Sequence, residues 1–301
     1  MAVETRTSPD APAARAATRL GQKRREQIGH LALHLLLIAV GLTFVAPFAW
    51  MVVTSLKQTG TEFVYPPQWV PRPAEWSNYR DALLETVPFL MYAKNTLIVT
   101  VGATAGDVLM SMVAAYSFAR LRWPGRDIMF VLTLVTLMLP SIVTVVPTFL
   151  IMRSLHWIDT FLPLIVPSWA GGSAFSIFLF RQFFLTIPIE LDEAARVDGA
   201  NPLRILWSII LPLSGPVLAT VTIFDVLNSW NDLFNPLIYL NSESNYTMAL
   251  GLSQFAIGHS GTAYNLQMAA ATAMTIPVIV LFFVAQRYFI RGIVTTGLAA
   301  H

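Results

Sequence analysis

EAARVDGANP, residues 193–202, separates two strongly hydrophobic stretches with a short run that is charged, Ala-rich and broken by one glycine. Local rules resolve it. Pro188 suits the first turn of a short helix, where its missing N–H costs nothing. Glu190, Asp192 and Glu193 near that end complement the helix dipole, and Ala194 and Ala195 are strong helix formers with small side chains. Gly199 suits a left-handed residue closing the helix. Asn201 then caps a second helix whose first residue is Pro202. The reading is helix, glycine turn, helix over residues 187–206. Such a segment either seats in another protein's groove or serves as a solvated connector.

The flanking chain says where this segment lies. Hydrophobic residues make up 55% of the 301 and charged residues 12%. Soluble domains carry about 25% charged residues, so the sequence is that of an all-α membrane protein. Six stretches are long enough to span, roughly 31–53, 95–119, 128–152, 161–181, 207–238 and 268–290. They make residues 28–301 one six-helix transmembrane domain. Residues 1–27, rich in Ala, Thr, Pro and Arg, read as a disordered tail. The apolar run from Leu31 has no small-residue cleavage pattern close behind it, which favours a retained anchor over a secretory signal.

Basic residues set the orientation. With six spans, 14 of the 19 Lys and Arg fall on one side, including Arg120, Arg122, Arg126, Arg181, Arg196 and Arg204. Only Lys57, Arg72, Arg80, Lys94 and Arg153 fall on the other. Both termini and EAARVDGANP are therefore expected to be cytoplasmic. The outward loops are about 54–94 and 241–267. The first contains YPPQWVPRPAEW, which either lies along the membrane surface as an aromatic belt or meets a partner.

The spans are rich in Pro, among them Pro140, Pro147, Pro163, Pro167, Pro212 and Pro216. Breaks of this kind are tolerated where neighbouring helices or a cavity satisfy the freed backbone groups. Gly102 and Gly106, four apart, suggest close helix packing. In the fifth span Asp225, Asn228 and Asp232 are spaced to share one helix face, with Asn231 and Asn235 as an adjacent stripe. An Asp at mid-membrane costs about 2.5–3.5 kcal/mol on the insertion scale and normally faces a bundle interior or a water-filled path. The face is either a translocation path suited to hydroxyl-rich solutes, or a set of inter-helix hydrogen bonds, or a helix end at the interface. Asp107, midway along the second span, has the same readings without neighbours in sequence.

Much chemistry is excluded. None of the three lysines is followed by Ser or Thr, so no phosphate-binding loop of the G-x-x-x-x-G-K-[ST] type exists. No H-E-x-x-H and no G-x-S-x-G occurs. There is no cysteine. His30 and His34 lie four apart without a carboxylate nearby, which suits a helix end at the interface better than a metal. The chain reads as a transporter rather than an enzyme, with no metal or cofactor of its own.

One pattern goes further. Glu193-Ala194-Ala195, three residues, Gly199, nine residues, Ile209, one residue, Leu211-Pro212 resembles the EAA loop of permease subunits of bacterial binding-protein-dependent ABC importers, whose fold is the MetI-like six-helix type. FARLRWPGR (118–126), IPIELDEAARVDGA (187–200), SWNDLFNPL (229–237) and QRYFIRGIVTTGL (286–298) resemble the carbohydrate branch, that of MalG-like subunits. The chain departs from the family where it stops at Leu298-Ala-Ala-His301 instead of a Gly- and Lys-containing end.

The resemblance implies a multi-pass subunit of the bacterial cytoplasmic (inner) membrane that forms half of a sugar path with a second permease, expected to be a different chain. Two ATPase subunits carrying ATP and Mg dock at the EAA loop, and an extracytoplasmic sugar-binding protein delivers the solute. Glu193, Ala194, Ala195, Asp198 and Gly199 become the ATPase-coupling element, and Asp225, Asn228, Asn231 and Asp232 the candidate path. The rival class is an ion-coupled secondary transporter using Asp107, Asp225 and Asp232. It would work alone on an ion gradient, and no internal repeat of the kind it favours is evident.

Overall fold

A computed structural model of the chain describes residues 11–86, 88–258 and 263–297. It is helical, with no strand among the described residues. In chain order the α-helices are α1 (Ala11–Ser55), α2 (Ser77–Arg80), α3 (Phe89–Arg120), α4 (Arg126–Thr136), α5 (Ser141–Ser154), α6 (Leu162–Trp169), α7 (Ala174–Thr186), α8 (Glu190–Val197), α9 (Pro202–Ile205), α10 (Leu211–Leu213), α11 (Gly215–Trp230), α12 (Phe234–Tyr239), α13 (Met248–Gly258) and α14 (Tyr264–Gly297).

Four segments are long and apolar enough to cross a membrane unbroken or nearly so: Gly29–Ser55, Phe89–Arg120, Leu162–Thr186 and Tyr264–Val284. Two more form only if a bent pair is counted as one span: α4 with α5, bent by 98°, and Pro202–Leu213 with α11, bent by 86°. The third and fifth expected spans are thus angled pairs rather than rods. Pro140 explains the first bend, because it biases Leu139 away from helical geometry. Pro216 explains the second, because it has no N–H to continue the ladder across Ser214. The fourth span is interrupted between Trp169 and Ala174, where Gly171 and Gly172 have φ of +145° and +74°. An added Cβ on Gly172 would collide with Ser111.

The expected tail, 1–27, falls partly on residues outside those described. The described part of it, from Ala11, lies within α1, whose first run APAARAATRLGQKRR holds many strong helix formers. The end Leu298–His301 also lies outside the described residues.

At the centre is α3, which packs against α6, α7 and α11, while α1 runs along α14 at the periphery. One core joins Met112, Ala115 and Tyr116 of α3 to Phe180 and Phe184 of α7, Ile205, Leu206 and Ile210 beyond α8, and Val221 of α11. The loop after α1 folds back on the bundle: Asn78 Nδ2 donates to the carbonyls of Ser55 and Lys57 (2.8 Å each), and Asn265 Nδ2 to that of Lys57 at 3.2 Å. Tyr65, Trp69 and Trp76 of that loop remain exposed, with Trp69 edge-on to Trp50 of α1 at 5.1 Å.

Gly102 and Gly106 mark a close helix approach. Trp169 of α6 lies across them, its Nε1 donating to the Gly102 carbonyl at 3.0 Å. A methyl on Gly106 would overlap the indole, whereas one on Gly102 would meet only the flexible Ile165 side chain, at 3.0 Å. Gly106→Ala is expected to lower stability by about 1–3 kcal/mol through overpacking, and Gly102→Ala by less. Melting temperatures of the purified variants in detergent check the order.

Candidate functional site

Two places concentrate polar chemistry: a cavity in the bundle and the short helix α8 outside it. The cavity has a volume of about 720 Å³. Thr104 and Asp107 of α3 form one wall, Thr148 of α5 and Ser168 of α6 another, and Asp225, Asn228 and Ser229 of α11 a third. Asp232, Asn235 and Tyr239 close one end, and Phe175 of α7 adds an aromatic face.

Of the four residues expected to line a path, Asp225, Asn228 and Asp232 border this cavity. Asn231 does not. Helix α11 ends at Trp230, so the three-and-four spacing holds only as far as Asn228. Asn231 turns back to cap the helix, its Nδ2 donating to the Leu227 carbonyl at 2.8 Å. Asp232 reaches the cavity from the following turn, where its carboxylate accepts from Asn235 N at 3.2 Å and Asn235 Nδ2 at 2.9 Å.

Asp107 has only the small hydroxyls of Thr104 and Ser111 near it on its own helix, but more polar neighbours in space. It lies against Asp225 across the cavity, and the hydroxyls of Ser111 and Ser173 approach its two oxygens at 3.5 and 3.4 Å. Ser111 also accepts from Ser173 N at 3.1 Å, which ties the break between α6 and α7 to the middle of α3. Ser173, Ser168 and Thr104 carried no signal in the sequence beyond being small polar residues in apolar runs.

Beside the Tyr239 end of the cavity lies Asp159, a left-handed residue (φ +61°) in the loop before α6. Its N–H donates to the carbonyl of cavity-lining Tyr239 at 2.7 Å. Its carboxylate accepts from Asn241 N (3.0 Å), Ser242 N (2.9 Å), the Ser242 hydroxyl and Asn245 Nδ2. Hydrogen bonds from Ser242 above all, then Asn241 and Asn245, hold this carboxyl well below the usual carboxylate range.

Helix α8 has the form its sequence implies, with one shift. Pro188 precedes the helix, which starts at Glu190 with Ile189 as N-cap. The two residues of disagreement are within the usual fraying of helix ends. Gly199 has φ +81°. Gly199 N donates to the Arg196 carbonyl at 3.0 Å and Ala200 N to that of Ala195 at 2.9 Å, the double closure of a Schellman turn. Asn201 then caps the next helix, its Oδ1 accepting from Arg204 N at 2.8 Å.

The expected coupling residues divide between two faces. Glu193, Ala194, Asp198 and Gly199 are exposed, whereas Ala195 is buried in the core beneath. The exposed face also carries Ile189, Leu191 and Val197, the last 88% exposed. These apolar groups went unremarked in the sequence, although hydrophobic side chains on a polar connector are a legible sign. Asp192 points the other way and is fully buried. Burial pushes its carboxyl above the usual range against the opposing pull of Arg120 and Arg196.

Comparison with known proteins puts both places within one family pattern. Residues 107–295 match the family described as binding-protein-dependent transport system inner membrane component. Similar proteins include the sn-glycerol-3-phosphate transport system permease protein UgpE of Pectobacterium atrosepticum, 33% identical over 267 residues, which are 87% of this chain and 94% of that one. UgpE of Brucella abortus is 33% identical over 277 residues, 89% and 97% of the two chains. Among solved structures, a chain of a bacterial ABC transporter involved in the import of the acidic polysaccharide alginate superposes with a TM-score of 0.76 at 26% identity, covering 88% of this chain and 98% of that one. A chain of a bacterial alginate ABC transporter in complex with its pentasaccharide-bound periplasmic protein shares the fold, with a TM-score of 0.63 at 18% identity.

The Asp159 clamp is testable by pH. Its folded-state pKa is depressed, so its contribution is fully present above the ordinary carboxylate value of about 3.9 and is lost as pH falls below it. Asp159→Asn is expected to melt lower than the parent at pH 7, with the gap closing as the pH is taken below about 4. Paired melting curves across that range check it.

Proposed function

The chain belongs to the family of inner membrane components of binding-protein-dependent transport systems, and from that membership we propose that it is the transmembrane subunit of an ATP-driven importer whose solute is a neutral sugar or oligosaccharide. In this reading it lies in a bacterial cytoplasmic membrane with both termini inside. It forms half of the path, and a second permease subunit supplies the other half. Two ATPase subunits, which bind the ATP and Mg, dock on the outer face of α8. An extracytoplasmic binding protein loads the solute.

The observation that carries the solute assignment is the composition of the cavity wall. Asp107, Asp225 and Asp232 bring three acidic side chains to it, the first two lying against each other, and no Lys or Arg is among the described lining residues. A phosphate ester or a uronate would meet like charge in a partly desolvated space, where Coulomb repulsion is several times its value in water. A neutral sugar meets what it can use: carboxylates accept from its hydroxyls, amides and hydroxyls of Asn228, Asn235, Ser168 and Ser229 do both, and Phe175 and Tyr239 offer apolar faces. The relatives named for glycerol phosphate and alginate transport anions, so this chain is assigned the same machine with a different cargo.

The bias of 14 of 19 basic residues to one side supports the orientation. The α8 surface supports the docking role: Glu193 and Asp198 can meet basic or donor groups, Val197 and Leu191 offer apolar contact, and the small Ala194 permits close approach. Gly199 fixes the angle of the second helix.

The test is uptake by the whole complex in proteoliposomes. Uptake of a neutral oligosaccharide is expected to need ATP and the binding protein, to be unaffected by sn-glycerol 3-phosphate, and to fall about tenfold or more in Glu193→Ala with all subunits still inserted, the scale of a lost coupling energy. Uptake driven by an ion gradient without ATP would instead support a secondary transporter, and transport of the phosphate ester would overturn the assignment of a neutral solute.

A further inference from the structure

The cytoplasmic end of α3 is buried beneath α8, and the contact there is half-made. Arg120 is 8% exposed and Asp192 0%. One Arg120 nitrogen donates to the carbonyls of Phe184 at 2.6 Å and Ile187 at 2.5 Å, the end of α7. The Arg120 Nε faces Asp192 Oδ2 from 3.9 Å, beyond hydrogen-bond reach. Neither Asp192 oxygen nor Arg120 Nε has a hydrogen-bond partner. Arg196, one turn along α8, is the other charge facing this group. Burying an ion pair without closing it keeps the desolvation cost and forgoes much of the attraction. A shift of α8 by about 1 Å toward α3 would close it to the charge-assisted distance.

Helix α3 connects this contact to the cavity. Tyr116, Met112, Ser111, Val108, Asp107 and Thr104 lie on its buried side, and Asp107 is about 20 Å up the helix from Arg120 at 1.5 Å per residue. We propose that Arg120 and Asp192 form a latch through which the grip of the ATPase on α8 sets the position of α3, and with it the shape of the cavity. The proposal rests on the reading that an ATPase subunit docks on α8. In the undocked chain the latch is open. Docking presses α8 inward, Asp192 closes on Arg120, and the displacement passes along α3 to Asp107 and, through Ser111, to Ser173 at the break between α6 and α7.

The experiment exploits the absence of cysteine from the chain. Ser168→Cys places a thiol on the cavity wall, and its maleimide labelling is followed by mass spectrometry of this subunit within the full complex, with and without a non-hydrolysable ATP analogue. With Asp192 intact, the analogue is expected to change the labelling rate about tenfold. In Asp192→Asn the change is expected to shrink to about twofold or less while the ATPase still co-purifies, and Asp192→Glu is expected to restore it. The paired apolar replacement, Arg120→Met with Asp192→Leu, is expected to assemble, since packed apolar groups substitute well for buried ions, and to give no response. A full response in Asp192→Asn or in the apolar pair overturns the latch. So does loss of the ATPase from the Asp192→Asn complex, which would make the pair a purely structural support. Uptake of neutral sugar is scored separately, on the parent complex with Ser168 intact: a nucleotide response at the introduced thiol with no such uptake by the parent supports the latch and overturns the solute assignment.

Discussion

Inside a bilayer no water is present to satisfy a free backbone N–H or C=O, so a helix can break only where the protein or a wet cavity takes up the loose ends. That constraint organises this molecule. The break around Pro140 precedes α5, which supplies Thr148 to the cavity; the one at Gly171 and Gly172 leads into Ser173 and Phe175; the one at Ser214 leads into α11, which supplies Asp225 and Asn228. Of the unbroken long helices only α3 contributes to the wall, while α1 and α14 supply no lining residue among those described. Irregular backbone and polar wall occur together because each makes the other tolerable.

Much of this was legible. The cap chemistry around α8 is local, and local rules placed Gly199 and Asn201 in their roles. The glycine pair on α3 announced a close approach, and Trp169 is what approaches. The bends are the part that proline alone could not resolve. Pro147 and Pro167 lie inside helices that continue past them, whereas Pro140 and Pro216 sit at sharp corners. The difference is in what surrounds the freed groups, which is tertiary information. The cavity shows the same limit. A helical wheel grouped Asp225 with Asn228 and Asp232, but it assumed that the helix ran on; the turn after Trp230 sends Asn231 to a capping role and brings Asp232 in by another route. Asp107 looked solitary because its neighbours, Ser173 and Asp225, are 66 and 118 positions later in the chain.

Helix α3 unites the two halves of the picture. Its C-terminal end carries a buried arginine that faces α8, its middle carries the acidic side chain on the cavity wall, and its glycine face lets α6 approach to within contact. In the proposed function, a subunit without a nucleotide site of its own must receive work at one surface and deliver it at another. A continuous helix, packed on several sides and polar at both points, is suited to that task.

The closure at Gly199 has a mechanical meaning. Two backbone hydrogen bonds and a left-handed residue lock the turn, and the Asn201 cap fixes the helix that follows. The segment therefore has no soft joint. It behaves as a knuckle of one piece, with a single orientation to present and little compliance in which to dissipate a load. The two short helices are thereby set at one angle to each other, like the arms of a bracket rather than the leaves of a hinge.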